Sequence, residues 1–119
     1  MSERSDELLI RDILFCIEKI QIYLVQSTKE QFYTDIKTQD AVSRNFEVIG
    51  EATSRLSSDF KNNYNLINWR IVKDFRNKLI HDYFGIDYET VWIISQEELP
   101  ILKEKLKLIL QEFNQSPIE

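Results

Sequence analysis

Only Gly50, Gly85, Pro100 and Pro117 punctuate this chain of 119 residues, so few positions let the backbone turn tightly without a side-chain penalty. A β-rich fold of this length needs a turn every several residues, whereas long helices do not. The chain is therefore expected to be all-α. A single domain over residues 1–119 is expected, with a frayed tail from about residue 114, and folding should remove roughly two-thirds of the unfolded chain's surface from water.

The apolar periodicity carries this further. Ser5, Asp6 and Glu7 suit a helix start, and Ile10, Ile13, Ile17, Ile20 and Leu24 recur at spacings of three and four, predicting a helix to about residue 26. Thr28 and Gln31 form a candidate capping box ahead of a short element anchored by Phe32. A second long helix is expected from Thr38 or Asp40, with Val42, Phe46, Ile49, Ala52 and Leu56 as its stripe. Its small residues Gly50 and Ala52 would let a neighbouring backbone approach. Residues 57–66, rich in Ser, Asn and Asp, read as the main loop. Asn68 suits the cap of a further helix that buries Trp69, Val72, Phe75 and Leu79. Gly85 suits a left-handed helix end, and Asp87 suits the next start. Residues 91–94 have strand-like composition but no alternating segment to pair with. Pro100 predicts a kink or break near Leu99, before a final helix built on Leu102, Leu106, Ile109 and Phe113. The expected architecture is a bundle of four to five helices.

Several function classes are disfavoured. Cys16 is the sole cysteine, set in an apolar run, and is expected to behave as a small hydrophobe rather than as a redox or metal-binding thiol. Charged residues interrupt the first dozen positions and no apolar run approaches membrane-spanning length, so a cytoplasmic protein without membrane association is expected. A net charge of −5 argues against a broad basic face for nucleic acid. Between residues 68 and 81 the balance reverses, with Arg70, Lys73, Arg76 and Lys78 against Asp74 alone, making this the segment expected to carry a positive patch and any local nucleic-acid contact. A solvated helix face would look the same.

The same segment contains Arg76, Asn77, the chain's single histidine His81, and Tyr83. Arginine can hold phosphate oxygens through paired hydrogen bonds, and histidine can move a proton near neutral pH. Neither role needs a metal or other cofactor. On one continuous helix Asn77 and His81 would share a face, while His81 would lie about 140° from Arg76. That geometry suits a cleft shared by two copies about a two-fold axis. The competing view, a helix-end histidine beside a surface arginine and a core tyrosine, is equally compatible with these residues alone. Glu51, flanked by apolar neighbours, is expected to be held by a structural hydrogen bond or an ion pair to Arg44 or Arg76.

Arg76, His81 and Tyr83 fit the Arg-x4-His-x-Tyr pattern of HepT toxins. Residues 76–92, residues 38–52, the string Asn68-Trp69-Arg70 and Glu98-Leu99-Pro100 also resemble that family. The resemblance implies a homodimeric HEPN-type bundle and a toxin of a toxin–antitoxin system that cleaves RNA without metal. It further implies Arg76 and His81 as catalytic, Asn77 as an assistant, and Tyr83 as the site to which an MntA-like nucleotidyltransferase antitoxin attaches AMP. Asn68 stands where many relatives carry proline, a departure explained by capping. The alternative reading is a non-catalytic HEPN module that binds a nucleotide or a partner.

Overall fold

The structure, a computed structural model, describes residues 4–81 and 85–115, with residues 76, 79–81 and 115 described by their backbone alone. It is an all-α bundle. Two of its long members are α1 (Asp6–Leu24) and α3 (Ile36–Arg55), joined by the short α2 (Lys29–Phe32). α1 starts where Ser5 accepts the amide of Leu8. Its seven buried residues are Leu9, Ile10, Ile13, Cys16, Ile17, Ile20 and Leu24. Burial also pushes the Cys16 thiol pKa up, as expected of a thiol acting as a hydrophobe. The capping box of α2 forms as expected, with Thr28 and Gln31 exchanging side-chain and backbone bonds of 2.9 and 3.1 Å.

α3 starts earlier than expected. Asp35, not Thr38 or Asp40, is its cap, because one carboxylate takes both the amide (3.2 Å) and the hydroxyl (2.6 Å) of Thr38. The region read as a loop contains α4 (Ser58–Asn63). Its start is tied to α1, since Asp6 accepts both the amide and the hydroxyl of Ser57 at 2.9 and 2.7 Å. Its single apolar anchor, Phe60, packs among Tyr64, Trp69 and Phe113, contacts that local composition does not announce.

α5 (Trp69–Lys73) and α6 (Phe75–Leu79) follow, then a two-residue antiparallel pair, β1 (Ile80–His81) with β2 (Gly85–Ile86). Gly85 has φ +79°, the left-handed conformation expected of it, but it sits opposite His81 in this pair rather than closing a helix. α7 (Tyr88–Ile93), capped by Asp87, contains three of the four strand-like residues and Ile94 opens the turn that follows, so the segment is helical, as the lack of a partner segment predicts. It continues through a π-helical turn (Ile94–Glu98) into α8 (Leu99–Gln115). The disruption expected at Pro100 takes this form: the amide of Leu99 reaches back to the Ile94 carbonyl, a widened turn that relieves the backbone ahead of a ring with no N–H. Among the described residues no helix is long and apolar enough to cross a membrane.

Phe46 is fully buried and meets Phe75 edge-on at 5.8 Å, joining α3 to α6. Replacement of Phe46 by alanine is expected to cost about 3–5 kcal/mol, as for other buried aromatics. Urea denaturation measures this directly, and a loss below about 1 kcal/mol would mean that this contact does not organise the core.

Candidate functional site

Local capping and apolar anchors position the motif-bearing segment. Asn68 accepts the Ile71 amide at 3.3 Å, the Trp69 indole donates to the Tyr64 carbonyl at 3.0 Å, and Trp69, Val72 and Phe75 are buried. At Asp74 the amide donates to the carbonyls of Arg70 and Val72, while its own carbonyl accepts from Lys78 at 3.0 Å. α6 thus follows α5 after one residue. Gly50 permits the close approach anticipated from its size: a Cβ there would stand 3.0 Å from the Lys73 carbonyl oxygen.

Arg70, Lys73, Asn77 and Lys78 are exposed along α5 and α6. Arg76 lies in α6 and His81 in β1. Tyr83 lies outside the described residues. The helix ends at Leu79, so the expectation that Asn77 and His81 share one helical face is overturned. Pairing of Ile80 with Ile86 and of His81 with Gly85 takes the chain out of the helix. The angle of about 140° drawn on one continuous helix therefore does not describe how Arg76 and His81 relate.

Beside Asn77 runs an open groove of about 350 Å³, lined by Arg44, Glu47, Glu51, Ser54, Lys73 and Asp74. Glu51 is exposed here rather than enclosed by the apolar stripe. Arg44 pairs with Glu47 at 3.7 Å, not with Glu51. The reason lies in helix geometry, because α3 buries residues 49, 50, 52 and 53 and turns 47, 51 and 54 to its other side. Glu47 and Ser54 escaped the reading of the sequence. Their signal was a polar stripe at 44, 47, 51 and 54, spaced three, four and three.

The groove holds three carboxylates against two cations, so it is less suited to a phosphate than the exposed row of Arg70, Lys73 and Lys78. No group of three or more His, Cys, Asp or Glu able to hold a metal is found among the described residues.

A family model described as ribonuclease HepT-like matches residues 13–109. This chain belongs to the HepT-like ribonuclease family. A protein of Thermococcus cleftensis named "Probable ribonuclease HepT" is 40% identical over 105 residues, covering 88% of this chain and 96% of that relative. A protein of Methanocaldococcus jannaschii named as a gamma-glutamylcyclotransferase and "putative RNase" is 36% identical over 110 residues, 92% of this chain. Here the chain spans 50% of the relative's length. A third relative, named "Putative RNase", comes from Caldanaerobacter subterraneus and is 32% identical over 105 residues, covering 88% of this chain and 90% of its own. No solved structure matches the chain.

For a HepT-like protein the seat of the motif segment on α3 is the feature most open to test. Gly50→Ala places a methyl 3.0 Å from backbone that only a shift of α5 can relieve. A stability loss of about 1–3 kcal/mol is expected. Thermal melting of the variant checks this, and an unchanged melting temperature would show that α5 is not pressed against α3 at this point.

Proposed function

We propose that this HepT-like chain is a metal-independent endoribonuclease toxin that acts as a homodimer. The membership of residues 13–109 in a ribonuclease family carries the reading. Its support within the chain is the arrangement of the only histidine just beyond the short helix that holds Arg76 and Asn77. His81 moves the proton of a ribose 2′-hydroxyl, whose oxygen attacks the adjacent phosphorus. A proton returns to the departing 5′-oxygen, leaving a cyclic phosphate and a free 5′-hydroxyl. Arg76 holds the phosphate oxygens as negative charge gathers on them, with Asn77 assisting. Arg70, Lys73 and Lys78 steer the RNA backbone.

An apolar groove of about 210 Å³ beside α5, lined by Ile67, Ile71, Val72, Phe75, Ile101 and Leu102, supports pairing of two copies at the motif face, with Ile71 and Ile101 exposed. Two copies of His81 then divide the roles of base and acid. Tyr83 receives AMP from a nucleotidyltransferase antitoxin, and the added purine and negative phosphate compete with RNA for the cleft.

His81→Ala is expected to lower cleavage by about 10²–10⁴-fold with helicity unchanged. Arg76→Ala should lower it by about 10²–10³-fold. Arg76→Lys should also be impaired, since lysine keeps the charge but loses the planar fork. The measurement is cleavage of a short RNA in chelator, beside the same oligonucleotide with 2′-deoxyribose throughout. Retained cleavage in the histidine variant, or cleavage of the deoxy substrate, contradicts the mechanism.

The switch is tested separately by incubating the protein with a nucleotidyltransferase antitoxin and ATP. Wild type should gain the mass of AMP and lose activity, while Tyr83→Phe should do neither. Mass gain in the phenylalanine variant would remove Tyr83 from this role.

A further inference from the structure

The π-helical turn leaves one backbone acceptor without a helical donor. The Leu99 amide reaches the Ile94 carbonyl, so it does not serve Ser95 as it would in an α-helix. The next position, which the wider turn would use for Ser95, is Pro100, and its nitrogen carries no hydrogen. The Ser95 carbonyl is thus filled in neither register, although the residue is only 4% exposed, and a buried acceptor of this kind calls for a partner.

Ser95 and Pro100 both line a cleft of about 340 Å³ between the end of α1 and the π-helical turn, and no residue lining it carries a formal charge. Trp92 forms part of the wall and is backed by Phe32, with 5.9 Å between ring centroids. Two side-chain amides in the lining have their orientations fixed by their bonds. Gln21 Oε1 accepts from the Lys103 ammonium at 3.0 Å, which leaves the Gln21 amide nitrogen to donate. Ser95 Oγ donates its one hydrogen to the Trp92 carbonyl at 2.6 Å and accepts from Gln96 Nε2 at 3.3 Å. Gln96 therefore keeps Oε1 and one N–H for a ligand. The cleft offers two amide donors, from Gln21 and Gln96, and two acceptors, Gln96 Oε1 and the Ser95 carbonyl.

We propose that this cleft binds the adenine base of an unpaired nucleotide. Its uncharged lining disfavours a ligand that would bury a phosphate, carboxylate or ammonium there, and an indole wall favours a planar one. Adenine is the RNA base whose amino group has a ring acceptor on each side, so its two N–H donors and two ring nitrogens complement two acceptors and two donors. Guanine places an oxygen acceptor where adenine has the amino group, and cytosine has carbon on one side of its own. An unpaired base in RNA and a free adenine nucleotide share this chemistry. None of the lining residues belongs to the motif segment, so the site does not rest on the proposed cleavage reaction.

Titration calorimetry of the full chain with adenosine tests this. Saturable binding at one site per chain is expected, retained in His81→Ala, with guanosine and N6,N6-dimethyladenosine each binding about tenfold more weakly or worse. Gln96 is exposed, so Gln96→Ala should leave the fold intact and weaken adenosine about tenfold. Pro100→Ala restores an N–H that can fill the Ser95 carbonyl from within the helix. It should weaken adenosine by a similar factor without lowering the melting temperature, a combination that a purely structural role for Pro100 does not give. Two further titrants separate the sources of the base: 2′-O-methyl oligoadenylate, which lacks the attacking hydroxyl, and AMP. The tighter of the two identifies the source, and both should weaken in Gln96→Ala. No saturable binding of adenosine, equal binding of guanosine, or unchanged affinity in either variant would overturn the proposal.

Discussion

The contact of α3 with the α5–α6 segment is the constraint on which the site depends. Phe46 and Phe75 meet in the core, and one turn further along α3 the missing side chain of Gly50 lets the Lys73 carbonyl come close. Together they set the height and tilt of a segment too short to stand alone, because isolated helices of this length are unstable in water. The long stripe of α1, packed on α3, adds seven buried residues to the core that makes such a short segment tolerable.

Electrostatics follow from that seat. An acidic chain presents exposed cations, Arg70, Lys73 and Lys78, along a segment whose apolar side is fastened inward by Trp69, Val72 and Phe75. Lys73 sits at the boundary, its carbonyl against Gly50 and its side chain lining the groove with Glu47, Glu51 and Asp74. The juxtaposition gives the surface two unlike neighbours, a cationic row and a mixed-charge groove, within the reach of Asn77. The proposed action on RNA requires attraction of a polyanion that the overall charge repels, and local placement of a few cations meets both demands.

Much of the fold was legible because it rests on interactions between near neighbours. The caps at Ser5, Thr28 and Asn68 depend on residues three positions away, and the stripes of α1 and α8 follow from helical periodicity. The start of α3 was misread because Thr38 looks like a cap, whereas Asp35 captures it with both oxygens. α4 was missed since its anchor Phe60 finds its partners Trp69 and Phe113 elsewhere in the chain. The motif residues were named from spacing and family resemblance, but their relation to one another was drawn on a helix that ends at Leu79.

What the amino-acid order determined by itself is the helical class, the buried faces, the cationic segment and the membership signalled by Arg76, His81 and Tyr83. Each of these is written in the identity and spacing of nearby residues. The tertiary structure decided that Glu51 faces solvent, that Arg44 pairs with Glu47, that Lys73 lies against Gly50, and that the chain leaves the helix before His81. Those outcomes turn on how helices distant in the chain are set against each other, and the close packing that sets them is a property of the assembled core rather than of any one segment.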